Sequence, residues 1–248
     1  MRRHHGAQFP AGSWRDTTLA LIRNESDLQS RATQQNSVLQ LTVNNEDHTK
    51  CFTGINSLNA LRNLTRLELK SGWWHWDGLS RIPDGHQLES LEFCKLEFWG
   101  GFHSISGLCA HRNIFAHKTL KTLEILNHPG IAEHSEPLSV TRPSNPTSLK
   151  SLTVSSIDLC SLTPVLSFPA ALEELKIDFS VETTRSLALD YMKRGTAKLV
   201  GEAFSPMYHS LTHLDFHHCY LGNFKFGKFQ NLTMLRIHST HLFSTDSL

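Results

Sequence analysis

Leu61-Arg-Asn-Leu64-Thr-Arg-Leu67-Glu-Leu69-Lys70 carries the pattern that decides the fold: an apolar residue, a second three positions on, and a third two beyond that. Lys118-Thr-Leu120-Lys-Thr-Leu123-Glu-Ile125-Leu126 repeats it. Aligned on an apolar residue followed by others at +3 and +5, the chain holds eight units: Val38/Leu41/Val43, Leu64/Leu67/Leu69, Leu88/Leu91/Phe93, Leu120/Leu123/Ile125, Leu149/Leu152/Val154, Leu172/Leu175/Ile177, Leu211/Leu214/Phe216 and Leu232/Leu235/Ile237. Their starts lie 26, 24, 32, 29, 23, 39 and 21 residues apart, which scatters around the length of one strand, one helix and two connections. Self-similarity at such a spacing marks a repeat architecture. Within each unit the +3 and +5 side chains stand two apart on a short strand and face inward, while +2, +4 and +6 face solvent. The expected fold is α/β: a solenoid with about eight short parallel strands on its concave face and irregular helices on its convex face.

LRNLTRLELK, HQLESLEFCKLEF, KTLKTLEIL, TSLKSLTVSSIDL, AALEELKIDF, HSLTHLDFHHCYL and QNLTMLRIHSTHL resemble the units of a leucine-rich repeat protein, over about residues 38 to 242. Where that family usually has Asn or Cys at +8, this chain has Glu46, Gly72, Leu96, His128, Ile157, Ser180, Cys219 and Thr240, so only Cys219 keeps the pattern. Irregular repeat lengths with this +8 position are most similar to the divergent repeats that follow the F-box in many fungal F-box proteins. The resemblance implies a leucine-rich repeat horseshoe acting as a non-catalytic protein–protein interaction module, in its narrowest form the substrate-recognition region of an SCF-type (Skp1–cullin–F-box) ubiquitin ligase. The alternatives are a regulatory leucine-rich repeat domain of a signalling or immune-type receptor, or a stand-alone scaffold. In the F-box family a separate N-terminal helical motif docks on a Skp1-type adaptor. Residues 1–37 contain no LPxEI-like start, so adaptor docking is assigned to no residue here and needs an F-box outside this chain or hidden in its N-terminus.

Residues 1–37 lack the repeat register and are expected to form a helical cap or divergent leader, with Thr17–Thr33 as an amphipathic helix; 38–248 form the irregular repeat domain. A solenoid end exposes an apolar interior and an unpaired strand edge, so terminal protection is a physical need. Helical content is expected in Asn56–Leu64, from leucines at intervals of three, and in Ser186–Phe204, where Gly195 and Gly201 favour two short helices over one. His134–Ser148 holds three prolines and is expected to be an exposed loop.

Composition narrows the function. With 24 basic and 23 acidic side chains the net charge is +1, so the chain has no general field for nucleic acid. No apolar run approaches the roughly 18 to 20 residues that span a bilayer, and the start, MRRHHGAQFPAGSW, has no apolar segment after its basic residues. The chain therefore reads as intracellular, cytoplasmic or nuclear, with no membrane. Five cysteines, Cys51, Cys94, Cys109, Cys160 and Cys219, are widely spaced and form no CxxC pair, against both a disulfide framework and a zinc site. No nucleophile elbow, phosphate loop, dinucleotide fingerprint or kinase signature occurs, so neither catalysis nor a cofactor is expected.

Two features point to a partner-binding surface. The outward +4 row reads Thr42, Glu68, Glu92, Glu124, Thr153, Lys176, Asp215 and Arg236, placing three glutamates side by side. Like charges opposite one another on a sheet are unfavourable, which suggests a basic protein ligand on the concave face; the other reading is a solvated face partly neutralised by residues such as Arg66 and Lys70. The second feature is aromatic: Trp73, Trp74 and Trp76 after one strand and Trp99 one repeat later. These rings either form an interface hot spot or fill the loop interior between strand and helix. Finally, His213, Asp215, His217 and Cys219 offer zinc-type donors, with His238 one strand over from His217. His213 and His217 are about 13 Å apart on an extended strand, too far to share one ion, so these residues are expected to be a pH-responsive polar patch or plain solvent-facing histidines, and no metal is assigned.

Overall fold

The computed structural model describes residues 19–22, 39–45, 61–71, 88–98, 112–115, 117–127, 147–157, 166, 169, 171–179, 201, 204–217 and 225–238. They hold one open sheet of nine parallel strands, stacked in chain order: β1 Leu19–Ile22, β2 Gln40–Asn45, β3 Arg66–Ser71, β4 Phe93–Phe98, β5 Thr122–Leu126, β6 Ser151–Ile157, β7 Glu174–Phe179, β8 His213–His217 and β9 Met234–His238. Eight of these match the repeat units. The ninth, β1, pairs in parallel with β2 and runs through the segment where a helix over Thr17–Thr33 is expected, so the N-terminal part of the chain adds a strand to the sheet. Leu19-Ala-Leu-Ile22 is a short apolar run, and an available sheet edge outweighs helical periodicity in so short a stretch.

Parallel neighbours in strict succession require each chain return to cross the same face of the sheet, which is the organisation of an α/β solenoid-like fold. The helical residues described are few: α1, Arg112–Phe115, and single turns of tighter helix at Ser205–Met207 and Phe226–Lys228. Ile114 and Phe115 of α1 are buried and cover the sheet beneath them. At the end of the helix expected over 56–64, Leu61 to Leu64 is a turn closed by the Leu64 N–H donating to the Leu61 carbonyl at 3.1 Å. Gly201 and Phe204 are helical, in keeping with the end of the 186–204 segment. The rest of both segments, and residues 134–146 of the proline-rich loop, lie outside the described residues.

A single device repeated at seven junctions sets the register. One backbone carbonyl before or at the start of each unit accepts two consecutive N–H groups from the next: Leu39 from Thr65 and Arg66, Thr65 from Glu92 and Phe93, Glu92 from Lys121 and Thr122, Lys121 from Lys150 and Ser151, Lys150 from Glu173 and Glu174, Glu173 from Thr212 and His213, and Thr212 from Thr233 and Met234. Hydroxyls reinforce it. Thr65 Oγ1 donates to Leu39 O at 2.9 Å, Thr119 Oγ1 to Leu91 O at 2.8 Å, Thr212 Oγ1 to Glu173 O at 3.0 Å, Thr233 Oγ1 to Thr212 O at 3.1 Å, and Ser148 Oγ to Lys118 O. These hydroxyls tie unit to unit by satisfying turn carbonyls that lie outside the strand ladder.

This register corrects one unit of the sequence alignment. Leu67 pairs with Cys94 and Leu69 with Leu96, so the third unit is Leu91/Cys94/Leu96 rather than Leu88/Leu91/Phe93. Leu88 instead takes the place of Leu61, at the turn before the strand, and Phe93 lies on the outward face. The segment HQLESLEFCKLEF satisfies the apolar spacing three times, from Leu88, from Leu91 and from Phe93. The pairing of Cys94 with Leu67 and of Leu96 with Leu69, with Cys94, Leu96 and Phe98 buried, decides among them.

Inward pairs stack along the sheet into one core: Leu41/Val43, Leu67/Leu69, Cys94/Leu96, Leu123/Ile125, Leu152/Val154, Leu175/Ile177 and Leu214/Phe216, all at most 2% exposed. At about 1.5–3 kcal/mol for each large side chain removed from water, this continuous stripe is the main stabilising term. Near the C-terminal strands it becomes aromatic. Phe204 meets Phe216 and Phe229 edge-on at 5.7 and 6.2 Å, and Tyr208 meets Phe229 edge-on at 4.9 Å. Leu235 on β9 continues the stripe from Leu214 but is 40% exposed, because no further strand among the described residues covers it.

Candidate binding face

The outward side of the sheet carries three rows of side chains, fixed by the strand pairing. The first runs Gln40, Arg66, Phe93, Thr122, Ser151, Glu174, His213, Met234; the second Thr42, Glu68, Lys95, Glu124, Thr153, Lys176, Asp215, Arg236. The third includes Lys70 beside Glu97 and, farther along, Ser155, Asp178, His217 and His238.

The second row corrects the expected acidic ladder. Glu68 and Glu124 are in it, but Lys95 stands between them and Glu92 does not belong to the row at all. Glu92 lies one position before β4, where it meets Lys121 of the next unit at 2.8 Å. The shift follows from the register of β4: moving the third unit by three residues replaces a glutamate with a lysine. Lys95 lies 3.7 Å from Glu124 and 4.0 Å from Glu97, and Lys70 lies 3.7 Å from Glu97. Arg66 pairs with Glu68 at 2.8 Å. Opposite charges on neighbouring strands are the favourable arrangement, so this part of the face is a neutralised weave, and the argument for a basic ligand does not stand. A second exposed pair, Lys150 with Glu173, repeats the Glu92–Lys121 contact in reversed sense.

Arg66 also lies over the Phe93 ring, 3.5 Å from its centroid. That half-buried aromatic ring on a largely polar face was hidden from the sequence by the alignment that put Phe93 inside. The alternation of FCKLEF is the signal that reveals it, since it places Phe93, Lys95 and Glu97 on one face and Cys94, Leu96 and Phe98 on the other. Beneath the weave, burial raises the pKa of the Cys94 thiol, with the nearby Glu68 carboxylate adding to the effect. Such a thiol is inert packing. Trp73, Trp74, Trp76 and Trp99 lie outside the described residues.

At the other end of the face the structure draws Asp215, His217 and His238 into one cluster, with His238 one strand over from His217 as the repeat register places it. Asp215 and His217 are two apart on β8 and so project from the same side, and His217 is opposite His238 of β9. The His217 and His238 rings stack with centroids 4.3 Å apart and an interplanar angle of 22°. Asp215 Oδ1 is 3.1 Å from His217 Nε2 and 3.8 Å from His238 Nε2. His213, the residue whose distance argues against a shared ion, is not in this cluster; its Nδ1 lies 2.8 Å from Thr212 Oγ1.

No protein-family model matches the chain, and no curated protein or solved structure resembles it significantly. The residues themselves therefore carry the functional reading. Among the described residues, no helix is long and apolar enough to cross a membrane.

Proposed function

We propose that the chain is a leucine-rich repeat module that binds a protein partner on the outward face of its sheet and performs no catalysis. The observation that carries this reading is the registered ribbon itself: side chains from eight successive strands, β2 to β9, held at fixed spacing by one backbone device, with a half-buried aromatic ring and balanced charges. An ordered, broad, chemically varied surface of this kind suits the recognition of another folded protein, whose own side chains meet fixed partners without ordering cost. Trp73, Trp74, Trp76 and Trp99, at the strand-end loops in the sequence, are proposed to extend the contact as hot-spot rings. The narrower proposal, resting on the resemblance alone, is that the partner is a substrate delivered to an SCF-type ubiquitin ligase.

Affinity capture from a native cell extract with the tagged full chain tests this, using two variants: Phe93→Ala with Lys95→Glu on the face, and Trp73→Ala with Trp74→Ala and Trp76→Ala at the edge. A captured protein that is lost with the face variant, at unchanged melting temperature, supports the reading. Retention by both variants overturns the assigned surface. Recovery of a Skp1-type adaptor and a cullin supports the ligase proposal, and partner capture without them removes it.

A further inference from the structure

We infer that Asp215, His217 and His238 form a binding site for a borderline transition-metal ion, Zn²⁺ in the first instance, on the outward face between β8 and β9. One donor atom from each residue lies within 4.8 Å of the other two. A tetrahedral zinc ion with bonds of about 2.0–2.1 Å holds its ligand atoms about 3.3 Å apart. The separations of 3.1 and 3.8 Å from Asp215 Oδ1 to the two imidazole nitrogens bracket that value.

The scaffold is suited to the task. Strand alternation puts Asp215 and His217 on the same face, and the β8–β9 pairing sets His238 directly beside His217. Coordination requires the stacked rings of His217 and His238 to turn about their side-chain bonds until a nitrogen of each points at the ion beside Asp215. Asp215 Oδ1 is shielded from solvent and faces two imidazole nitrogens. A carboxylate in that position is stabilised by a cation placed between it and the rings. Two imidazoles and one carboxylate are the donor set for Zn²⁺, Co²⁺, Ni²⁺ or Cu²⁺, and a poor one for Ca²⁺ or Mg²⁺, which take oxygen ligands. Three protein ligands leave a fourth position for water or an outside donor. This inference does not depend on the protein-binding proposal.

The test uses the full chain with Zn²⁺ alone, followed by calorimetry and by the visible absorption of Co²⁺ as a substitute ion. The variants are His238→Ala, Asp215→Asn and the double variant His217→Ala with His238→Ala. His209→Ala, exposed and outside the cluster, serves as control for adventitious histidine binding. Circular dichroism and melting temperature without metal confirm that each variant is folded; His238→Ala, on an exposed edge residue, keeps the test valid if His217→Ala does not fold. The expected result is one equivalent of Zn²⁺ lost in the double variant, an affinity weakened more than about tenfold in each single variant, and a tetrahedral Co²⁺ band present in the wild type and in His209→Ala only. Zn²⁺ should also raise the melting temperature of the wild type and not that of the double variant, because the ion binds only the folded arrangement. Equal Zn²⁺ stoichiometry in the wild type and the double variant, or no stoichiometric binding by the wild type, would overturn the inference and leave a cluster of one carboxyl group and two imidazoles.

Discussion

The guanidinium carbon of Arg66 lies 3.5 Å from the centroid of the Phe93 ring, and the two residues are opposite one another across β3 and β4. An exposed cation–π contact of this kind is worth about 0.5–1 kcal/mol. Its larger meaning is topological. With Phe93 outward, Cys94 and Leu96 must point in, and the whole outward row of β4 becomes Phe93, Lys95 and Glu97.

Aspartate substitutions at adjacent positions test that assignment directly. Cys94→Asp places a carboxylate at a fully buried site and is expected to cost more than about 3 kcal/mol, enough to prevent stable folding. Phe93→Asp loses one ring contact on a half-exposed face and should cost about 1 kcal/mol. Chemical denaturation of the two variants decides between the registers; a greater loss from Phe93→Asp would restore the other one.

Thiol titration gives an independent view of the same strand. Cys94 is buried and its pKa is raised, so the number of thiols reacting in the native protein should be the same for the wild type and Cys94→Ala. In denaturant the variant should show one fewer. A native-state difference between them would place Cys94 within reach of solvent.

His117 predicts acid sensitivity. It is 1% exposed, accepts a hydrogen bond at Nδ1 from the Thr119 N–H at 3.4 Å, and among the described residues its Nε2 has no hydrogen-bond partner. Burial lowers its pKa from 6.5. The folded state thus binds fewer protons than the unfolded state, so stability is complete above the unfolded value and falls as pH drops below about 6.5. The slope of unfolding free energy against pH below 6.5 should be flatter in His117→Phe than in the wild type. Parallel slopes would show that His117 takes up its proton without cost to the fold.

Ser156 occupies the left-handed region, with φ of 58°, where the pairing of β6 with β7 slips between Ser155 and Ile157. A residue with a Cβ is strained there by about 1–2 kcal/mol, whereas glycine is not. Set against the greater freedom glycine gives the unfolded chain, Ser156→Gly should stabilise by up to about 1 kcal/mol and Ser156→Val should destabilise. Thermal melts of the pair check the sign. Asn127, with φ of 53°, is the residue type that best tolerates this region after glycine.

The parallel stack was legible in the leucine spacing because burial of a period-two stripe leaves few other arrangements. Seven of the eight units align as the strands pair. The third offers overlapping settings within one segment, and a cysteine at the inward position weakens the correct one. The strand at Leu19–Ile22 was missed because four apolar residues cannot distinguish helix from strand until a sheet edge is there to receive them. The repeat register already sets His238 one strand over from His217; what linear spacing does not contain is that imidazoles facing each other across a strand pair approach far more closely than residues four apart along one strand. The hydroxyl contacts between units were likewise invisible, because threonine at a turn is common whether or not it reaches the preceding carbonyl.

Each of the seven junctions from β2 to β9 is closed by one backbone carbonyl receiving two consecutive N–H groups, whatever length of chain separates the units. Between Leu172 and Leu211 the interval is 39 residues and between Leu211 and Leu232 it is 21, yet β7, β8 and β9 pair residue for residue. Because the entropy of closing a loop rises only slowly with its length, the spacers are free to drift while the face stays in phase. New recognition elements can therefore be inserted between strands without rewriting the scaffold that presents them.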